Sequence, residues 1–229
     1  MCNGMVTVRR RMDMKKLILA VFIGTCVMAQ AKPRPYVSVY GGGSGLQETD
    51  WSYTYNSTPG NKFKYDVGGV YGAAIGTSIG SLPIRIEVEY SSRKNDINDR
   101  KSSYGGDGDM TSTALMVNLY YDFKNFDGLY DYLFESVYPY VFIGVGGVDA
   151  EIKVSSPSWL AGTASETVFA GQVGIGFGLE ITDHIIFDLK GRVMMTEDIE
   201  FTGITSPTSK LELDKPIFAE VLAGIRFQF

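Results

Sequence analysis

The segment Ile84 to Tyr90, IRIEVEY, places Ile84, Ile86, Val88 and Tyr90 on one side of an extended chain and Arg85, Glu87 and Glu89 on the other. Successive side chains of a strand point to opposite faces, so a period of two in polarity builds a sheet with two chemically different surfaces. The pattern recurs. Thr113 to Phe123 sets Thr113, Leu115, Val117, Leu119, Tyr121 and Phe123 against Ala114, Met116, Asn118, Tyr120 and Asp122. Ile185 to Met195 sets Ile185, Phe187, Leu189, Val193 and Met195 against Asp188, Lys190 and Arg192. Ile217 to Phe229 sets Ile217, Val221, Ile225, Phe227 and Phe229 against Glu220, Arg226 and Gln228. In Val67–Ile79 and Phe169–Ile181 the second face is rich in glycine, with Gly68, Gly72 and Gly76 in one and Gly174, Gly176 and Gly178 beside Glu180 in the other. Glycine is disfavoured inside strands, but it fits where side chains crowd a narrow barrel. Strands near 35–45 and 137–152 bring the total to eight, with faces that the alternation leaves open.

The N-terminal stretch Met14 to Ala31, MKKLILAVFIGTCVMAQA, has Lys15 and Lys16 before a short apolar run, then Ala29-Gln30-Ala31. A basic start, a short apolar core and a small-x-small end form a cleavable export signal. The run is too short for a permanent helical anchor, which needs about 18 or more apolar residues. Residues 1–31 are therefore expected to be a signal peptide, with translation starting at Met14 or with Arg9, Arg10 and Arg11 lengthening the basic region. Cys26 follows Thr25, which is larger than the residue a lipoprotein site prefers. Cleavage after Ala31 removes both cysteines, Cys2 and Cys26, so the mature part (32–229) holds no disulfide and no thiolate metal site. It also removes five basic residues and only one acidic one, Asp13, which makes the mature chain more acidic than the formal net charge of -5 of the whole sequence. Such a chain is a poor partner for nucleic acid, whose phosphates need a basic surface.

No later run is long enough for a helical membrane span. The connections alternate instead: Gly80–Pro83 and Thr182–His184 are tight turns, whereas 46–64, 94–110, 153–166 and 197–213 are long and polar. Outer-membrane barrels combine short periplasmic turns with longer external loops. The link 124–136 is the one long connection on the short-turn side. A soluble barrel with an apolar interior would share the alternation. The export signal, the loop asymmetry and a chain that ends on its last strand favour the membrane.

The final residues LAGIRFQF resemble the terminal signal of outer-membrane barrels, matched by Gly224, Phe227 and Phe229; Leu222 stands where that signal has a polar residue. The mature chain as a whole resembles the small opacity-type barrels, the superfamily of surface antigens and adhesin-like proteins. The resemblance implies an all-β fold, an eight-stranded antiparallel up-and-down transmembrane β-barrel in the bacterial outer membrane after a cleaved signal peptide. It also implies handling by the barrel assembly machinery, contact with outer-membrane lipids and lipopolysaccharide, a monomeric state, and an extracellular or host ligand.

A barrel of eight strands is just wide enough for its side chains to fill it. Arg85, Glu87, Glu89, Asp122, Glu180, Asp188, Lys190, Arg192, Glu220 and Arg226 are then expected to point inward as a mixed-sign network. Facing lipid at mid-depth, each Arg or Lys would cost about 2–4 kcal/mol. A narrow channel is the alternative, motivated by Gly68, Gly72, Gly174 and Gly176 on the inner faces.

Chemistry is sparse. The single histidine, His184, sits in a predicted turn beside Asp183 with no serine partner, and a hydroxyl nucleophile needs a base within reach. No catalytic residue, metal site or cofactor is expected; a lipid A-modifying barrel enzyme is the third and weakest reading. Gly174–Gly178 lies inside a strand, not before a helix as a nucleotide loop would, and Gly105–Asp109 lacks the spaced ligands of a calcium loop. Tyr40, Tyr90, Tyr120, Tyr121, Phe123, Tyr138, Tyr140 and Phe227 are expected to form interfacial girdles. Function falls to the long loops, with Trp51, Tyr53 and Tyr55, Arg100 and Lys101, and Trp159 and Leu160 as contact candidates. The second loop's Arg93, Lys94, Asp96, Asp99, Asp107 and Asp109 add mixed charge suited to lipopolysaccharide phosphates or an extracellular partner. The expectation is a non-enzymatic surface protein for adhesion, antigenic display or envelope integrity.

Overall fold

A computed structural model describes residues 33–47, 49–53, 62–63, 65–79, 82–98, 107–123, 136–154, 162–202 and 210–229. The expected signal peptide, Tyr55, Arg100, Lys101, Trp159, Leu160 and nearly all of the 124–136 link lie outside them. The chain runs through β1 (Arg34–Leu46), β2 (Thr49–Tyr53), β3 (Lys62–Phe63), β4 (Gly68–Ser78), β5 (Ile84–Asn98) and β6 (Asp107–Asp122). It continues through β7 (Val137–Val154), β8 (Gly162–Glu180), β9 (Ile185–Thr196), β10 (Ile199–Thr202), β11 (Lys210–Leu213) and β12 (Ile217–Gln228). Eight of these close a barrel in the order β1-β12-β9-β8-β7-β6-β5-β4, and β10-β11-β2-β3 form a small separate sheet.

Every barrel pair is antiparallel. β1 closes the ring on both sides, with Tyr36 opposite Gln228 of β12 and Gly76 of β4. At one rim the connections are short: Ile79 N–H donates to the Ile84 carbonyl, and Ile181 N–H to the Ile185 carbonyl. Both chain ends lie there, where Phe229 N–H donates to the Pro35 carbonyl. The opposite rim carries the long connections and the small sheet.

The strands hold two zones with opposite polarity. In the short-turn zone the outer face is apolar, with Val39, Ile75, Ile143, Ile175, Leu189 and Ile225 exposed. The inner face there carries Arg85, Glu87, Glu89, Asn118, Lys190 and Arg192, all buried. Towards the other rim the arrangement inverts. The interior becomes an apolar cluster of Leu46, Ile97, Met110, Met116, Ala150, Ile152, Val168, Met194, Ile199, Phe201, Leu213 and Phe218, among others. The outer face of β5–β8 becomes polar.

One hairpin of the barrel, β9–β12, bends at this boundary. The last regular pair of the β9–β12 hairpin is Met195 with Ile217, and pairing resumes with Ile199 and Leu213. Four residues along a regular strand return a side chain to the same face. Here Met195 is exposed while Ile199 and Leu213 are buried, so the hairpin rolls over at Thr196–Asp198 and Asp214–Pro216. Lys215 takes φ 37, and its N–H donates to Asp198 Oδ1 at 3.2 Å. β11 then pairs with β2, setting Leu213 opposite Trp51 and Leu211 opposite Tyr53. A bridge between Tyr65 and Ile97 ties this side to β5.

Two sequence expectations are corrected. The segments 94–98, 107–110 and 162–166 are strand rather than loop, because β5–β8 continue beyond the zone in which outer residues are apolar. The stretches 46–64 and 197–213 contain paired strands, so the backbones of Trp51 and Tyr53 belong to β2 and not to a loop tip.

Candidate functional site: a filled lumen and an extracellular head

The inner face of the barrel is organised in layers. Nearest the short turns, Arg85 Nε meets Asp122 Oδ2 at 2.8 Å from adjacent strands. Its guanidinium lies over the Tyr120 ring at 4.3 Å and the Tyr140 ring at 5.1 Å. Arg226 Nη2 reaches Asp188 Oδ1 at 3.1 Å and donates to Tyr138 Oη at 2.6 Å. One step up, Glu87 accepts from Tyr120 Oη at 2.8 Å, Tyr36 Oη at 3.0 Å and Asn118 Nδ2 at 3.4 Å. Neutral donors of this kind stabilise a buried carboxylate without a direct cation.

Above Glu87 runs a chain of alternating charge. Lys190 Nζ meets Glu89 Oε2 at 3.4 Å, and Glu89 also accepts from Arg192 and, at 3.0 Å, from Asn118 Nδ2. Arg192 reaches on to Glu220, which meets Arg93 Nε at 2.8 Å and accepts from Ser44 Oγ at 3.2 Å. Arg93 Nη2 donates to Ser91 Oγ at 2.8 Å, and its guanidinium sits 5.2 Å from the Phe218 ring, at the floor of the apolar cluster. Gln172 Nε2 donates to Asn118 Oδ1 at 2.6 Å and closes the layer from β8. Arg85, Arg93, Lys190, Arg192 and Arg226 thus face Glu87, Glu89, Asp122, Asp188 and Glu220. Among the described residues these charges balance, as burial demands.

Inner glycines seat the large rings of this lumen. A Cβ on Gly176 would stand 2.6 Å from the Tyr140 ring, and one on Gly178 2.6 Å from the Tyr138 ring. Gly72, Gly76 and Gly174 face Tyr40, Tyr36 and Phe142 in the same way. Of the glycines that motivate a channel, Gly72, Gly174 and Gly176 seat aromatic side chains from the neighbouring strand, and Gly68 lies against the Lys94 backbone and Asn95. A void of about 20 Å³ remains beside Tyr40, Arg85, Glu87, Tyr120, Tyr140 and Lys190, room for about one water molecule.

Several sequence expectations change. Glu180 lies at the short-turn end of β8 and is exposed, outside the lumen, because the barrel wall ends there. Tyr40, Tyr120, Tyr138 and Tyr140 are buried inward rather than in a girdle; Tyr90, Tyr121 and Phe227 face outward, with Tyr121 edge-on to the half-buried Phe123. Arg93, expected in the second loop, belongs to the lumen. The alternation Ser91, Arg93, Asn95 continues the inner parity of Arg85, Glu87 and Glu89 and was the available signal.

The terminal motif lies on the short-turn rim. A Cβ on Gly224 would stand 2.7 Å from Tyr40 Cβ, so the glycine gives a neighbouring ring its place. Phe227 and Phe229 point outward, edge to face at 5.1 Å. His184 stacks on Phe227, and its Nδ1 lies 2.9 Å from the Gln228 carbonyl oxygen. The imidazole is thus engaged by backbone and ring, and among the described residues no serine hydrogen-bonds to it.

An apolar belt around a charged, side-chain-filled interior is the inverse of a soluble protein and defines a β-barrel embedded in lipid. On β8 the belt from Phe169 to Leu179 measures roughly 33 Å along the strand and about 25 Å along the normal at a tilt near 40°, the height of an outer-membrane apolar band. The chain belongs to the family of the outer membrane protein beta-barrel domain, whose model matches residues 17–206. It is similar in structure to Neisserial surface protein A (NspA), with a TM-score of 0.53 and 16% identity over 85% of this chain and 97% of that one. It is also similar to the outer membrane protein OprG from Pseudomonas aeruginosa, with a TM-score of 0.50 and 16% identity over 87% of this chain and 98% of that one. At such identities the likeness is one of fold. No curated protein sequence matches. The protein is an outer-membrane barrel with its short turns on the periplasmic side and its small sheet outside the cell.

Proposed function

We propose that this is a non-enzymatic surface protein, a sealed barrel that holds an extracellular head for adhesion, antigenic display or envelope integrity. The observation that carries it is the inversion of the lumen. Its periplasmic part is filled by paired charges and rings seated on glycines, and its outer part is closed by the apolar cluster. A sealed lumen offers no path for solute, so the activity falls to what rises above the membrane: the β5–β8 wall, the sheet β10-β11-β2-β3 and the connections that they carry. The partner is an extracellular or host ligand met by the head, and the C-terminal Gly224, Phe227 and Phe229 serve handling by the barrel assembly machinery.

Single-channel recording of the purified folded protein in planar bilayers tests the sealed barrel, and no conductance steps are expected. Regular steps would replace this reading with the narrow channel. Lipid A mass spectra from cells overexpressing the protein are expected to be unchanged; a new lipid A species would make it an enzyme. Binding of intact cells to immobilised extracellular matrix or serum proteins, with and without the gene, then tests adhesion itself.

A further inference from the structure

The strands above the membrane nearly form a second ring. One arc is β8-β7-β6-β5 and the other is the small sheet β10-β11-β2-β3. The bridge between Tyr65 and Ile97, and the hydrogen bond from Asp66 N–H to the Asp96 carbonyl, tie the chain after β3 to β5. At the other junction β8 and β10 form no ladder. The last backbone bond across that seam, among the described residues, runs from Glu197 N–H to the Phe169 carbonyl.

Above Phe169, β8 therefore has a free edge. Along an antiparallel ladder, alternate residues turn both backbone groups to the same neighbour. Glu180 N–H donates towards β7, to the Ser136 carbonyl, and Ile181 N–H donates towards β9, to the Ile185 carbonyl. Odd positions of β8 thus serve β9, and even positions serve β7. The β9 ladder ends where Ala170 meets Thr196. Thr163, Ser165 and Thr167 therefore turn their N–H and C=O groups to the seam, with no strand beside them among the described residues. From Gly162 to Phe169 the sequence GTASETVF holds no proline and no lysine, residues that blunt exposed edges. Its one charge is Glu166, half-buried on the inner side of the edge. Among the described residues no ion pair or hydrogen bond engages that carboxylate. The surroundings are acidic too: Glu197 is exposed at the foot of the seam, Asp149 stands opposite Thr167, and the nearby Lys153 is already paired with Glu151.

A second barrel in the same membrane cannot supply the missing strand. Two co-oriented barrels present β8 at the same tilt, so facing strands would cross at roughly 80°, against about 20–25° between paired strands. The occupant comes from the medium, and an unpaired carboxylate in acidic surroundings selects a basic one.

We propose that the β8 edge binds an extended, cationic polypeptide segment by strand addition, its backbone on Thr163, Ser165 and Thr167 and a basic side chain on Glu166. This rests on the surface role proposed above and names the chemistry of its partner. The two fail separately: peptide binding by a protein whose cells do not adhere would sink adhesion alone. The test uses the full mature barrel in phospholipid nanodiscs and a short fluorescent peptide that alternates threonine with valine, with a central lysine in one valine place. Anisotropy is expected to show saturable binding, about fivefold weaker with glutamine in place of that lysine. Binding should vanish when alternate peptide amides along the pairing edge are N-methylated. Amide exchange should slow at Thr163, Ser165 and Thr167 and stay unchanged at Ala164 and Glu166, which already serve β7. Glu166→Gln should abolish the preference for lysine. Ser165→Pro should abolish binding while sparing the fold, since that N–H takes no part in the ladder with β7. Equal binding of the N-methylated peptide, equal binding of the lysine and glutamine peptides, or unslowed exchange at the three amides would each overturn the proposal. Should Ser165→Pro not fold, the N-methylated peptide decides.

Discussion

Gly176 and Arg192 show how single residues set this lumen. Gly176 leaves room for Tyr140; an alanine there would bring Cβ to 2.6 Å from the ring and 2.7 Å from the Leu189 carbonyl oxygen. Backbone cannot retreat as a flexible side chain can, so Gly176→Ala should destabilise the barrel by about 1–3 kcal/mol. The temperature at which the compact band is lost on heat-modifiable gels should fall. Arg192 bridges Glu89 and Glu220 in the buried interior. Arg192→Met strands both carboxylates beside fewer cations and should cost about 3–5 kcal/mol in urea unfolding. Adding Glu89→Gln should cost less than the sum of the two single changes, since it removes one stranded charge. Full additivity would mean that the two residues are not coupled. At this scale the sequence shows which residues share an inner face, because parity is local. It cannot show that Asn118 of β6 is the hinge between Glu87 and Glu89 of β5 and Gln172 of β8, since those partners come from two other strands.

The β9–β12 hairpin carries the most informative deviation among the elements. Its reversal of face between Met195–Ile217 and Ile199–Leu213 rests on Lys215 at φ 37, a conformation costly to a residue with a Cβ. Lys215→Gly should therefore stabilise the outer sheet by about 1 kcal/mol, measured as slower amide hydrogen exchange in β10 and β11. Faster exchange would show that the lysine side chain itself holds the bend. A strict period of two cannot register this roll-over, and so the stretch 197–213 reads as loop in the sequence. The extension of β5–β8 is hidden for a different reason. Once the strands leave lipid their outer residues turn polar, and Thr, Ser and Asp at alternate positions look like a loop when the neighbouring inner residues are not yet known to be buried.

Two solvents shape the molecule as a whole: lipid around one zone, water and headgroups around the other. A charge placed on the outer face should reveal the boundary. Ile175→Arg, in the belt, should cost roughly 2–4 kcal/mol, whereas Thr113→Arg, one row above it, should change stability little. Both are read by unfolding in vesicles of defined lipid. Equal costs would shift the belt outward past Thr113. The alternation and the loop asymmetry determined the fold class, the number of barrel strands and the identity of most lumen charges, because each is written in neighbouring residues. Which charges pair, which rings fill which glycine seats, and how the outer half inverts into an apolar core were decided only by closure of the barrel. Closure fixes register between strands far apart in the chain, and no local pattern encodes that distance.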